Sequence, residues 1–280
     1  MTPEEIQRES FAALGLNNCA PLTQGGQKWV FTAELSGQSV VAKIVQLPVG
    51  PAGAIALERA HREVELLAVV DSDHVVKVLS DAVEIGDPVE AVAWVEEKLG
   101  GEDLTVHLGS TWTDDKVFEL LSDMANALDA CHTELVVHRD LSPGNVRVLR
   151  DGTFVLMDPG YAKHLQLAAL TGVFQPGTPG FRSPEHVPGG NPTAASDVFS
   201  LGVLAFYARS GVFPIDPTGN QVDYDNRLLN SSAPSLDSVV NGVSARLVTV
   251  VDRCLQRQPA RRFLDGAELL EELQNIGRLR

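Results

Sequence analysis

The sequence has 280 residues, of which 44% are hydrophobic and 21% are charged. This composition excludes a collagen-like chain and a disulfide-rich scaffold, and it argues against wholesale disorder. Acidic residues outnumber basic ones by 37 to 22, which gives a formal charge of −15. Because an acidic surface repels nucleic acid and anionic membranes, we expect neither as a partner.

The cysteines and the first residues indicate a cytoplasmic protein. Cys19, Cys131 and Cys254 share no short spacing, which favours a reducing compartment. The opening sequence MTPEEIQRES carries carboxylates where a secretory signal carries positive charge. The longest apolar stretch, residues 198–208, is too short for the ~20 residues that cross a bilayer.

The first part of the chain is predicted to be mainly β-structure. Residues 22–45 alternate between apolar and polar side chains, with Ser36-Gly37 as the turn of a hairpin. A short acidic helix is predicted at residues 3–15 and a longer helix at residues 54–70. Two more strands are predicted at residues 75–79 and 91–96.

The remainder of the chain is predicted to be mainly helical. Thr113 is a good N-cap for a helix that begins with Asp114 and Asp115. A short β pair is expected around Asp151-Gly152, and residues 159–193 are expected to form a long ordered loop. Further helices are predicted at residues 196–210, 243–257 and 265–276.

Strands followed by helices predict an α+β fold of two unequal lobes. The smaller lobe, residues 1–98, would hold a small antiparallel β-sheet and one main helix. The larger lobe, residues 99–280, would be mainly helical.

Three motifs occur in a fixed order in the second half of the chain. HRDLSPGN spans residues 138–145, Asp158-Pro159-Gly160 follows, and GTPGFRSPE spans residues 177–185. This order and spacing resemble the serine/threonine protein kinase family, and the resemblance extends from about Leu22 to Leu273. It implies the bilobal protein kinase fold.

The resemblance assigns the residues of phosphoryl transfer. Asp140 would accept or orient the proton of the substrate hydroxyl, Asp158 would bind a metal ion at the β- and γ-phosphates, and Asn145 would hold a second metal. Because a carboxylate and an amide are hard oxygen ligands, the metal expected is Mg²⁺. The resemblance implies ATP as the phosphate donor.

A lysine and a glutamate complete the predicted catalytic set. Val41-Ala42-Lys43 ends an alternating strand and resembles the strand whose lysine contacts the α- and β-phosphates. The register of the following helix favours Glu63 as its partner. Taken alone, Lys43 would be read as a solvated strand end and Glu63 as an exposed helix charge.

The glycine-rich loop departs from the family pattern. Gly25 matches the middle glycine, Gly26 follows it, and Thr23 and Lys28 replace the first and third glycines. Two adjacent glycines still allow backbone amides to approach phosphate oxygens. Lys28 is read either as a charge over the phosphates or as a solvent-exposed side chain.

Two further departures lie near the phosphates. Ser142 occupies the position where the family usually has a lysine that touches the transferred phosphate. Pro159 replaces the usual phenylalanine of the metal-binding triplet, which stiffens the turn.

The nucleotide pocket is assigned by the same resemblance. The adenine ceiling would be formed by Leu22, Val30 and Ala42. The hinge would be formed by Glu97 and Leu99, and the ribose contact by Asp103. Arg147 falls on the adenine floor and Glu96 at the back of the pocket. We expect these two charges to pair, since a buried unpaired charge is costly; alternatively, Arg147 extends outward.

The resemblance also predicts scaffold contacts and a switch. Glu185 should pair with Arg262, and Asp197 should brace the backbone around His138 and Arg139. In the family, an arginine such as Arg139 often meets a phosphorylated residue of the activation loop. The candidates between Asp158 and Glu185 are Thr171, Thr178 and Ser183. Thr171 is the predicted autophosphorylation site, whereas Thr178 resembles the threonine that hydrogen-bonds the catalytic aspartate.

The resemblance therefore predicts an ATP-dependent kinase for serine or threonine hydroxyls of a protein substrate. One alternative is a pseudokinase, a nucleotide-binding or empty scaffold that regulates a partner protein; its motivation is the set of departures from the motifs. A small-molecule phosphotransferase is disfavoured because GTPGFRSPE resembles a peptide-docking loop. Regulation is expected to come from another protein, a ligand or autophosphorylation.

Overall fold

A computed structural model describes residues 1–25, 28–158, 178–187 and 192–278, without the side chains of residues 23–25, 59, 63, 277 and 278. The described residues divide into two compact units. The first contains Met1–Asp71 and Val76–Leu99, and the second contains Ser72–Val75 and most of the chain after Leu99.

The first unit is an antiparallel β-sheet with two helices. In the described part of this unit the sheet has five strands in the order β1-β2-β3-β5-β4. Its elements are α1 (Pro3–Ala13), β1 (Asn17–Gly25), β2 (Lys28–Leu35), β3 (Gln38–Gln46), α2 (Pro51–Val69), β4 (Val83–Ile85) and β5 (Ala91–Glu97).

The predicted hairpin is confirmed between β2 and β3. Ser36 and Gly37 both have positive φ, 51° and 81°, as a two-residue turn matched to the twist of the strands requires. The turn fixes a register in which Val30 lies opposite Lys43 and Phe31 lies opposite Ala42. Side chains directly opposite each other share a face of the sheet, so this register decides which residues accompany Lys43.

The two faces of this sheet carry separate apolar cores. On one face, Ile6 of α1 is fully buried in a cluster with Phe31 and Ala42. On the other face, Trp94 packs with Val64 and other buried residues of α2. The pleat of the strands therefore assigns alternate residues to an α1 side and an α2 side.

The second unit is mainly helical with a small antiparallel sheet in the order β6-β7-β8. Its strands and α-helices are β6 (Glu102–Asp103), α3 (Leu104–His107), α4 (Asp114–Thr133), β7 (Val146–Val148), β8 (Phe154–Leu156), α5 (Ala194–Ser210), α6 (Gln221–Asn230), α7 (Ala245–Cys254) and α8 (Gly266–Arg278). Single 3₁₀ turns occur at Pro143–Asn145, Pro184–His186, Leu236–Ser238 and Pro259–Arg261.

Helix α5 lies in the core of this unit and is buried over most of its surface. Gly202 makes its close approach to α7 possible, because a Cβ at this position would lie 2.6 Å from Cβ of Cys254. The predicted cap of α4 is confirmed, since the Thr113 side chain accepts a hydrogen bond from the Lys116 amide. Among the helices of the described ranges, none combines the length and the apolar character needed to cross a membrane.

The α+β class is confirmed, but two element predictions were wrong. Residues 75–79 form no strand and take part only in the isolated bridges of Val75 and Val78, while the fourth strand is Val83–Ile85. A short apolar run does not distinguish a strand from a buried irregular segment. Helix α6 was not predicted because its mainly polar sequence buries only Tyr224 and Leu228. Of the expected ordered loop at residues 159–193, residues 159–177 and 188–191 lie outside the described part of the chain.

Candidate active site

The carboxylate of Asp140 is held on both oxygens. Thr178 donates to Oδ1 from its backbone N–H at 2.9 Å and from its hydroxyl at 3.0 Å. The side-chain amide of Asn145 donates to Oδ2 at 3.1 Å and to the Asp140 carbonyl at 2.7 Å. Asp140 and Asn145 are buried, so these bonds fix the carboxylate in one orientation. The predicted bond between Thr178 and Asp140 is confirmed.

Asp158 lies beside Asn145 because of the β7–β8 pairing. Asn145 directly precedes β7, and Asp158 follows the end of β8 by two residues. The Met157 amide donates to the Asn145 carbonyl at 2.8 Å, which continues the pairing beyond the strands. Asp158 has a φ of 47°, in the left-handed region that costs a non-glycine residue free energy. Such strain occurs most often at functional sites.

Asp197, at the start of α5, fixes the backbone that precedes Asp140. Its Oδ2 accepts the amide of His138 at 2.7 Å and its Oδ1 accepts the amide of Arg139 at 2.8 Å, which confirms the predicted brace. Arg139 has a φ of 67°. Burial alone would raise the pKa of Asp197, but the hydrogen bonds that it accepts from His132 and from the Arg139 backbone outweigh burial and lower this pKa.

Sequence reasoning did not identify His132 as part of this support. The Gly266 amide donates to His132 Nδ1 at 3.0 Å, so the ring proton is on Nε2, which lies 3.1 Å from Asp197 Oδ2. The only signal in the sequence is a histidine in the last turn of the helix before the HRD motif.

Lys43 lies on the α2 side of the first unit, where it forms an ion pair with Glu96 of β5. The indole N–H of Trp94 donates to the other oxygen of Glu96 at 2.9 Å. Glu63 lies in α2, but its side chain is outside the described part of the structure. The pairing of Lys43 with Glu63 therefore stays a prediction.

The predicted pairing of Glu96 with Arg147 is wrong. Arg147 of β7 lies opposite Asp103 of β6, and its guanidinium contacts Asp103 Oδ1 at 2.7 Å and the Gly100 carbonyl at 3.1 Å. Glu96 instead accepts hydrogen bonds from Lys43 of β3 and from Trp94 of its own strand. The alternative of an outward Arg147 agrees with a side chain that is 27% exposed. The carboxylate of Asp103, the predicted ribose contact, thus accepts a hydrogen bond from Arg147.

The prediction that Ala42 forms the adenine ceiling is also corrected. Ala42 is fully buried in the core on the α1 side, on the face opposite to Lys43. Strand alternation places Val41 rather than Ala42 with Lys43, two residues away on the same face. Val30 lies directly opposite Lys43 and is half-buried. Because residues two apart in a strand share a face, alternation counted back from Lys43 identifies Val41.

The remaining predicted nucleotide contacts are only partly described. Leu22 is 55% exposed on β1, and the Gly25 backbone pairs with Lys28 across the β1–β2 hairpin. Glu97 accepts the Lys77 amide at 2.8 Å, and Leu99 is half-buried. Gly26, Pro159 and Thr171 lie outside the described residues.

The donor set at Asn145 and Asp158 fits a hard divalent cation. The amide nitrogen of Asn145 faces Asp140, so its oxygen, Oδ1, is the atom that would meet the metal, together with a carboxylate oxygen of Asp158. Oxygen donors of this kind are those that Mg²⁺ prefers. Within the described ranges, no group of three or more His, Cys, Asp and Glu side chains could hold a metal.

Glu185 and Arg262 form the predicted scaffold pair. Two parallel bonds of 2.7 and 2.9 Å join the guanidinium to the carboxylate, and Ser196 donates to Glu185 at 2.6 Å. Burial alone would raise the pKa of Glu185, but the bonds and charge of Arg262 outweigh it and lower this pKa to about 2. The contact links the segment after Thr178 to the helices of the second unit.

We predict that Glu185→Gln lowers the free energy of unfolding by about 3–5 kcal/mol at pH 7, because it leaves the buried Arg262 without its charge partner. Since the pKa of Glu185 is lowered, its contribution is full above the unfolded-state value near 4.5 and declines as the pH falls toward 2. Urea unfolding between pH 7 and pH 3 measures both effects. Glu271→Gln, at an exposed position of α8, is the control. A cost that does not depend on pH would contradict this account.

Similar sequences are found among bacterial serine/threonine-protein kinases. The drp72 kinase of Corynebacterium efficiens is 30% identical over 90% of this chain and 49% of its own length. PknA of Corynebacterium glutamicum is 29% identical over 88% of this chain and 52% of its own length. The chain thus spans about half the length of these relatives.

The fold and the family agree with these relatives. The crystal structure of the PknI kinase domain of Mycobacterium tuberculosis matches with a TM-score of 0.67 and 22% identity, and the match covers 94% of this chain and 96% of that one. The protein kinase fold that the motifs implied is therefore confirmed. The family model described as protein kinase domain matches residues 21–272. Since this match includes nearly the whole sequence, the chain belongs to the protein kinase family.

Proposed function

We propose that this chain transfers the γ-phosphate of ATP to serine or threonine hydroxyls of a protein substrate. The family uses ATP as the phosphate donor and typically a divalent metal ion. The observation that carries the proposal is the Asp140 carboxylate, which Thr178 and Asn145 orient through both oxygens. We assign residues 1–98 and 99–280 to the two lobes of the kinase.

In this mechanism, Asp140 receives the hydroxyl of the substrate. The two donors of Thr178 and the side-chain amide of Asn145 set the plane of the carboxylate, and a substrate hydroxyl then donates its hydrogen to Oδ2. This contact aims the hydroxyl oxygen at the γ-phosphorus of ATP. Asp140 takes the proton as the new P–O bond forms, while the bond from the γ-phosphorus to the β–γ bridging oxygen breaks and ADP leaves. The brace of Asp197 on the preceding backbone supports this geometry, because a shift of the loop would misplace the carboxylate.

Asn145 and Asp158 would hold Mg²⁺ through Oδ1 and a carboxylate oxygen. When bound, the metal ion neutralises charge on the phosphates and orients them. Lys43 would add a positive charge at the α- and β-phosphates. Ser142 supplies no charge where the family usually has a lysine, so the transition state depends more strongly on the other cations.

A nucleotide-binding regulatory scaffold is the second candidate. Ser142 in place of the usual lysine favours it. The retained Asp140, Asn145 and Asp158 favour an active enzyme. Phosphate transfer by the purified chain separates these two functions.

We further propose a protein substrate, a regulatory partner protein and a cytoplasmic location. The family relationship supports the protein substrate. The described Cys19, Cys131 and Cys254 are all free thiols, which supports a reducing compartment. The acidic composition supports the expectation that neither nucleic acid nor a membrane surface is a partner.

We predict that Asp140→Asn and Asp158→Asn each lower phosphate incorporation from radiolabelled Mg-ATP by a hundredfold or more, since one removes the proton acceptor and the other a metal ligand. The substrates are the chain itself and generic basic proteins. Asp81→Asn is the matched control, because Asp81 is exposed in the first unit. Equal, background-level label in the wild type and both variants would support the scaffold instead.

We also predict autophosphorylation at Thr171. An arginine such as Arg139 would bind the phosphothreonine through charge-assisted hydrogen bonds and order the surrounding loop. Phosphopeptide mass spectrometry after incubation with Mg-ATP should find phosphate on Thr171 and not on Thr178, whose hydroxyl bonds Asp140. An active enzyme with unmodified Thr171 would contradict this prediction.

A further inference from the structure

Glu96 is a buried carboxylate on β5 whose two oxygens meet two different donors. One oxygen pairs with the ammonium of Lys43, and the other accepts the indole N–H of Trp94 at 2.9 Å. The side chains of Lys43 and Glu96 are 6% and 4% exposed. A charge at such depth is stable only with a partner, so the two ionised groups depend on each other.

The sheet register places this cluster on the α2 side. Lys43 of β3 lies opposite Trp94 of β5, and Glu96 lies opposite Val41 of β3. Lys43 and Glu96 are therefore diagonal neighbours on one face, within reach of long side chains. The backbone ladder between β3 and β5 runs from Val40 to Gln46, so the pair is built into the sheet and does not require a helix to bring it together.

Trp94 fixes the orientation of Glu96. The indole is almost completely buried in the core beneath α2, so its ring position is set by packing. Its N–H holds one carboxylate oxygen, which leaves the other directed at Lys43. A carboxylate whose orientation is set by a third group is suited to hold a cation in one place.

We propose that Glu96 is a positioning residue that holds the Lys43 ammonium in place for the nucleotide phosphates, with Trp94 as its support. This inference rests on the proposed function, because it assigns Lys43 to the phosphates. It differs from the pairing with Glu63 that the family resemblance implies, since the anchor lies on the neighbouring strand of the same sheet.

Glu96→Gln is the central test variant. The amide has nearly the same size, but its one oxygen can accept from only one of the two donors while its NH₂ group meets the other. The negative charge that Glu96 presents to Lys43 is lost as well. Glu84→Gln is the matched control, since Glu84 is an exposed carboxylate on the neighbouring strand β4.

The first measurement is the acetylation rate of Lys43 by an N-hydroxysuccinimide ester, followed by peptide mass spectrometry. Lys116, a more exposed lysine on α4, is the internal reference. Without the adjacent negative charge, the reactive neutral amine becomes more populated, so acetylation of Lys43 should rise roughly tenfold in Glu96→Gln. The rate should be unchanged in Glu84→Gln.

The second measurement is the affinity for Mg-ATP by calorimetry. Loss of the charge-assisted contact should weaken binding by about tenfold or more in Glu96→Gln and leave Glu84→Gln unchanged. Thermal unfolding shows whether Glu96→Gln is folded. Should it fail to fold, Trp94→Phe decides, because it removes the indole donor and part of the ring volume but keeps the Glu96 charge, and it should give smaller changes in the same direction.

Each outcome has a distinct meaning. Faster acetylation together with weaker binding supports the proposal, even if no variant transfers phosphate, in which case only the proposed kinase activity fails. Unchanged acetylation overturns it, because Glu96 then does not hold Lys43. Faster acetylation with unchanged affinity also overturns it, since Glu96 would be a structural partner without a role in positioning. A wild type that binds no nucleotide overturns both proposals.

Discussion

The catalytic loop depends on one buried carboxylate, that of Asp197. It accepts the amides of His138 and Arg139, and it thereby holds Arg139 in a left-handed conformation that this residue would otherwise avoid. His132 of α4 donates a hydrogen bond to this carboxylate, so its charge is stable at a position that is almost completely buried. The orientation of Asp140 follows from this brace together with Thr178 and Asn145. The chemistry of the second unit thus relies on the desolvated charge at the start of α5.

In the first unit, too, buried charges are stabilised by partners. Lys43 and Glu96 are both removed from water on one face of the sheet, and the indole of Trp94 completes the hydrogen bonding of the carboxylate. A glutamate at this position is costly without a cation, and a lysine is costly without an anion. The pair is therefore a single buried unit with fixed geometry. In the proposed function, this preorganisation would lower the cost of reaching the transition state.

Sequence reasoning succeeded where a contact is local or belongs to a family motif, and it failed where tertiary register decides. The bonds of Asp140 with Thr178 and of Glu185 with Arg262 followed from the motifs. Ala42 was misassigned by one residue, which in a strand exchanges the two faces. Arg147 pairs with Asp103 because β6 and β7 set them opposite each other, a register that no single-sequence pattern contains. The Lys43–Glu96 pair was missed for the same reason, since its partners are 53 residues apart.

The backbone around Asp140 depends on the brace that Asp197 provides, and amide hydrogen exchange measures this brace directly. We expect the amides of His138 and Arg139 to exchange as slowly as those of the buried helix α5, because all of them are released only when the second unit opens. Rapid exchange at His138 and Arg139 while the α5 amides stay protected would show that the loop moves independently of Asp197, and it would contradict the account.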